Sequence, residues 1–181
     1  MNKNVTILSF STRNNGNCAA ISRFLEDHYK RTNVCSFVID MQPCGNCDYE
    51  CLTPGKSCPN VDSNQKEVMD RLCQSDLVYF IVPNYCGYPN GNYFAFNERK
   101  VGYFNMDRAL MGKYQGIEKR FIIVSNTESE AFRSAMQQQT IGEPAMLYLK
   151  TGKYRKRSTD GDLLDAPEAI EDLKGFLQTA P

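Results

Sequence analysis

The sequence predicts a doubly wound α/β domain, a five-stranded parallel sheet with helices on both faces. Three observations carry this. Short apolar or β-branched runs alternate with helix-period segments along the chain. The first run passes through a polar loop into a helix. No repeat, low-complexity tract or linker divides the remainder. Val5–Ser9 reads as the first strand and Ala19–Tyr29 as the first helix, with apolar residues at 20, 21, 24 and 25. Val34–Ile39 reads as the second strand, Asn64–Cys73 as a helix, and Leu77–Val82 as the most convincing buried strand. Phe121–Val124 and Met146–Leu149 supply two more strands, each followed by a helix pattern. The last helix is expected to start near Asp165 as N-cap, with Pro167 in its first turn, where a missing N–H costs nothing.

The 181 residues suit one domain over 1–181, large enough to bury a core without staples, with a cysteine-rich insertion at about 43–60. Charges balance at 21 acidic against 21 basic residues, which argues against nucleic acid or an anionic membrane as partner. No apolar run approaches the roughly 18 residues of a membrane span, and no secretory leader is read at the start, so a cytoplasmic protein is expected. The single histidine, His28, follows Phe24 by four on the first helix and reads as a surface or core-edge residue. With one histidine, no Ser-His-Asp or His-rich metal chemistry can be assembled, and reactivity is expected from a bound cofactor.

The segment VTILSFSTRNNGNCAAI, residues 5–21, is the most informative. A strand, a polar loop and a helix start in this order build an anion site, because loop N–H groups and the positive helix end converge. Ser11, Thr12 and Asn17 offer hydrogen bonds, Gly16 allows close backbone approach, and Arg13 supplies charge. The loop has neither the glycine triplet of a dinucleotide fold nor the Gly-Lys-Ser/Thr of a Walker A loop. It resembles the phosphate loop of the NAD(P)H-dependent FMN reductase family and its iron–sulfur flavoprotein branch, a pattern like GS-x-R-x-x-GN-[ST]. Ser11, Arg13, Gly16 and Asn17 match it; Phe10 replaces the opening glycine, and Cys18 stands at a hydroxyl position.

The resemblance covers about residues 1–130 and implies a flavodoxin-like fold with bound FMN. A second loop, Pro83, Asn84, Tyr85, Cys86 and Gly87, is similar to the family's P-x-Y-x-G loop along the isoalloxazine ring. There Tyr85 offers an aromatic face, and N–H groups near Gly87 would support negative charge on a reduced flavin. Asn126 and Thr127, after the fourth strand, are expected at the same edge. The aromatic stretch 92–104 includes a Phe96/Arg99 pair and reads as a dimer seam, with Arg99 pairing an acidic neighbour, so a homodimer or homotetramer is expected. The run KYRKR, 153–157, reads as a solvated surface or as an attractor for the extra phosphate of NADPH.

Cys44, Cys47, Cys51 and Cys58 form C-x2-C-x3-C-x6-C with Pro59 directly after. Thiolates this close can reach one centre, and soft sulfur suits iron–sulfur or zinc; free thiols or disulfides are the third reading. The resemblance implies a [4Fe–4S] cluster, although the family spacing is one residue tighter before the third cysteine. Cys35 and Cys73 read as apolar filler, while Cys86 lies in the flavin loop. The activity implied is hydride transfer from NAD(P)H to flavin, then electron delivery to an acceptor. Two other readings stand beside it: an electron-carrier flavodoxin, and a zinc-binding sensor module that has lost its flavin.

Overall fold

The computed structural model describes residues 3–29, 33–45, 47–53, 55–60 and 63–179. β1 (Val5–Ser9) leads into α1 (Asn17–His28) and β2 (Val34–Val38), and a 3-10 turn at Glu50–Leu52 stands in the cysteine loop. Next come α2 (Ser63–Leu72), β3 (Leu77–Tyr85), β4 (Tyr88–Pro89), α3 (Gly91–Met106) and α4 (Arg108–Gly116). The chain continues through β5 (Glu118–Ser125), α5 (Glu130–Gln137), β6 (Ala145–Lys150) and α6 (Pro167–Gln178). Five strands pair in parallel in the order β2-β1-β3-β5-β6, the expected doubly wound sheet, and β4 adds a short antiparallel pair to β3.

Alternation along the strands divides the core between two faces. Leu8, Phe80, Val82, Phe121 and Ile123 pack under α2, α3, α4 and α5. Ile7, Tyr79, Ile81, Ile122 and Val124 pack under α1 and α6, with Ile21, Leu25, Ala169 and Leu173 opposite them. β5 begins three residues before the apolar run that announces it. Its Arg120 is buried, ion-pairs with Glu118 at 2.7 Å, and donates to the carbonyls of Phe176 and Thr179 at 2.8 and 2.6 Å. A cation at the end of α6 thus satisfies orphan carbonyls and offsets its own burial. At the other end of α6, Ala166 is the cap residue and Pro167 stands in the first turn, whereas Asp165 closes a preceding 3-10 turn.

The aromatic stretch is mostly used by the chain's own core. Tyr93, Phe96, Tyr103 and Phe104 are buried, while Phe94 and Val101 remain exposed. Arg99 is buried too, and pairs with no acidic residue in any described contact. Its Nε donates to Gln65 Oε1 at 3.0 Å, its Nη2 donates to the Asn60 carbonyl, and its own carbonyl accepts from Gln65 Nε2 at 3.0 Å. His28 is exposed at the end of α1, edge-on to Tyr29. Among the described residues no helix is long and apolar enough to cross a membrane.

Phe10, the departure from the phosphate-loop pattern, is a core residue. It stacks on Phe80 at 5.8 Å and meets Tyr93 and Phe96 edge-on at 5.4 and 5.7 Å. Its N–H donates to the Ile81 carbonyl, and its own carbonyl accepts from Asn90 Nδ2 at 2.5 Å, which anchors the loop to β3 and to the start of α3. Phe10→Ala should therefore lower stability by about 3–5 kcal/mol, as for other fully buried aromatics. Urea unfolding measures this, and a loss under 1 kcal/mol would show that the ring is not part of the packed core.

Candidate functional site

β1, β3 and β5 all end at the same edge, so their following loops meet there, where open α/β sheets place ligands. Gly16 precedes α1 in extended conformation, φ −90° and ψ 171°, and no side chain caps the helix. Its first-turn N–H groups, beyond reach of any helix carbonyl, are left for an anion or water. Ser11, Arg13, Gly16, Asn17 and Cys18 line a cavity of about 80 Å³. Pro83, Asn84 and Tyr85 form its opposite wall. Ser158 and Thr159, from the turn after β6, complete it.

A broader cavity of about 600 Å³ adjoins it through the shared Asn84. Cys86 and Gly87 line one side, and Ser125, Asn126 and Thr127 the other. Every residue predicted for cofactor binding from sequence, Thr12 excepted, thus lines one of two adjoining cavities. Asn84 joins their walls: its Nδ2 donates to Ser125 Oγ at 2.6 Å, and its Oδ1 accepts from the Gly87 N–H at 2.8 Å. Asn126 is tied to the residue just after β6 by a hydrogen bond from Thr151 Oγ1.

The loop is a two-residue β-hairpin. Tyr85 pairs with Tyr88, and the intervening Cys86 and Gly87 have φ of +53° and +89°, the signature of a primed turn. Gly87 serves that geometry, since a Cβ there would meet only Ser129 Oγ, at an ordinary 3.6 Å. Tyr85 and Tyr88 are both more than half exposed, and Tyr85 lines the smaller cavity.

Two of the four cations in the basic run after β6 are paired. Lys153 is paired with Asp172, and Lys156 lies 2.8 Å from Asp162. The turn beyond it reaches back to the first loop. Arg13 Nη2 donates to the Thr159 carbonyl at 2.7 Å, and Asn17 Nδ2 donates to the Ser158 carbonyl at 3.2 Å. Ser158 and Thr159 escaped the sequence reading, because contacts made through their backbone carbonyls leave no trace in residue type.

Cys44, Cys51 and Cys58 of the cluster lie against the middle of α3. A Cβ built on Gly102 would sit at an ordinary contact distance, 3.5 Å, from the Cβ atoms of both Cys51 and Cys58. The Cys44 N–H donates to Glu98 Oε2 at 2.9 Å. Partial burial, then neighbouring charge, raises the Cys44 and Cys51 thiols above the ordinary range. Glu98, Cys58 and Cys51 act on Cys44, and Cys58 and Cys47 act on Cys51. The four are therefore electrostatic neighbours. Among the described residues, which omit 46 and 54 of this loop, no three His, Cys, Asp or Glu side chains converge as a group able to hold a metal ion. All eight cysteines are free.

Searched against known proteins, the chain matches no protein-family model. Among solved structures it is similar to the Trp repressor binding protein from Bacillus subtilis, with TM-score 0.65 and 12% identity, covering 98% of this chain and 99% of that one. A second similar structure is FerB, a flavoenzyme NAD(P)H:(acceptor) oxidoreductase from Paracoccus denitrificans. There the TM-score is 0.56 and the identity 13%, covering 97% of this chain and 95% of that one. The fold is flavodoxin-like. In sequence, the chain resembles the FMN-dependent NADPH-azoreductase of Staphylococcus aureus, 24% identical over 103 residues, 56% of this chain and 52% of that protein. The chain spans about half the length of the curated relatives it matches.

Cys18 gives the site a pH signature. It is buried in the first turn of α1, and desolvation pushes its thiol up to about 12 from an ordinary 9.0. A pKa raised on folding stabilises fully below the unfolded value, and the contribution fades as pH climbs from 9 towards 12. Between about pH 8 and 10.5 the wild type should lose about 2 kcal/mol more than Cys18→Ala in urea unfolding. Parallel losses in the two proteins would mean that the thiol is solvated.

Proposed function

We propose that this chain is an FMN-dependent oxidoreductase that accepts hydride from NAD(P)H and delivers electrons to a second substrate. The observation that supports it most is the meeting of three loops, after β1, β3 and β5, around a small anion-sized cavity that opens into a broader one through Asn84. The likeness to an FMN-dependent NADPH-azoreductase and to a flavoenzyme NAD(P)H:(acceptor) oxidoreductase supports the same reading.

FMN, when bound, supplies a ring that takes up hydride and passes electrons on. The protein's share is positioning and electrostatics. Ser11, Arg13, Gly16 and the first-turn N–H groups of Asn17 and Cys18 would hold the phosphate. The Cys18 thiol, kept protonated by burial, adds no negative charge beside it. Pro83, Asn84, Tyr85, Cys86 and Gly87 would line one side of the ring, with Asn126 and Thr127 across from them. A single phosphate-sized cavity favours FMN over FAD.

Two finer points belong to this proposal. Phe94 and Val101 on α3 and Met111 on α4 remain exposed, and we assign self-association into a homodimer to that side. The free thiols and the absence of a membrane-length helix among the described residues suit a cytoplasmic enzyme. Cofactor released by acid from the purified protein should run as FMN, and light scattering of the same sample should give the mass of two chains or more. Release of FAD would overturn the assignment of the first loop.

The cysteine loop is proposed to hold an iron–sulfur centre. Supporting this are the four soft donors and their electrostatic nearness to one another. Cys51→Ser should abolish bound iron in protein purified without oxygen while FMN stays, and Cys35→Ser should leave iron unchanged. A wild type that carries zinc and no iron would make the loop a structural clip.

A further inference from the structure

The turn after β6 lies on the first loop more closely than a covering segment needs to. Gly161, at φ +81°, passes so near that a Cβ on it would fall 2.1 Å from the Asn15 carbonyl oxygen and 3.5 Å from Gly16 Cα. No side chain other than hydrogen fits between the two backbones. Asn17, itself buried, fastens the turn from both sides: its Nδ2 donates to the Ser158 carbonyl, and its Oδ1 accepts from the Leu163 N–H at 3.0 Å. Arg13 adds the 2.7 Å bond from Nη2 to the Thr159 carbonyl. Arg13 and Asn17, two of the polar side chains that the first loop could aim at an anion, thus hold this turn, and Ser158 and Thr159 border the cavity whose floor is the start of α1.

We propose that residues 157–161 form a strap over the phosphate end of the flavin cavity, fastened by Arg13 and Asn17, and that the strap sets the preference for FMN over riboflavin. This inference rests on the flavin reading above. Arg13 has five N–H donors, and one engaged at Thr159 leaves others for a phosphate oxygen, so one guanidinium would bridge ligand and strap. Thr159 Oγ1 is already bonded to Asp160 Oδ1 at 2.8 Å, which makes the Ser158 hydroxyl the strap's contribution to the phosphate. The ring cavity, by contrast, includes no strap residue. Strap and ring binding should therefore be separable.

The test compares FMN and riboflavin affinities by flavin-fluorescence quenching, with circular dichroism as a check of folding. In the wild type FMN should bind at least about tenfold more tightly than riboflavin, the worth of one or more charge-assisted contacts. Gly161→Ala should displace the strap and remove most of that preference, leaving riboflavin affinity within about twofold. Ser158→Ala, at an exposed position that cannot disturb folding, should reduce the preference by a smaller factor in the same direction. Limited trypsin cleavage after Arg155, Lys156 or Arg157 should be slowed by FMN and not by riboflavin. If the wild type prefers FMN, yet folded Gly161→Ala and Ser158→Ala keep the full preference and FMN gives no protection, the strap is refuted and the flavin reading survives. If the wild type binds both flavins equally, the phosphate assignment fails, and the strap with it.

Discussion

The site depends on the burial of β3. Leu77 to Val82 is enclosed on both faces and paired on both sides, with Ser9 opposite Ile81 and Pro83 opposite Val124. A strand so enclosed can carry no polar group without a partner, so polarity first becomes tolerable where it leaves the sheet. That point is Asn84. The register with β1 and β5 brings their polar ends, at Ser11 and Ser125, to the same height, and the crevice follows from that alignment.

Much of the architecture could be read in the sequence because apolar runs and helix periods coincide with the elements. Val5–Ser9 matches its strand at both ends. The reading weakened where a polar residue is satisfied by something distant. Glu118, Lys119 and Arg120 hid the start of β5, since nothing near them in sequence announces that helix-end carbonyls will satisfy Arg120. Val82 read as the end of β3, yet the strand continues three residues further, to Tyr85, as one arm of a hairpin. Asp165 carries the side chain of a cap but lies one residue too early, because a 3-10 turn takes it up.

The candidate site was legible to the same degree and for the same reason. Residues acting through side chains, such as Ser11 and Arg13, or through forced backbone geometry, such as Gly87, leave a signal in residue type. The turn at 157–161 acts largely through carbonyl oxygens, which every residue possesses, and only folding reveals where they point. The aromatic stretch shows the opposite error. Its composition suggested a surface to be covered, whereas Phe10 meets Tyr93 and Phe96, Phe80 meets Phe96, and Tyr114 meets Phe104. Arg99 likewise found an amide and a carbonyl within its own chain.

The hairpin at Tyr85–Tyr88 has a consequence for anything that enters the crevice. Two backbone-paired residues across a two-residue turn leave the backbone little freedom to rearrange, so Tyr85 is carried to the cavity wall on a fixed frame. A planar visitor meeting that ring gives up its own tumbling but requires little ordering of the host backbone, and so keeps more of the stacking energy as net affinity. Selection among visitors then depends on flatness and width more than on particular functional groups. A crevice with this opening would be generous towards aromatic compounds and indifferent to slender aliphatic ones.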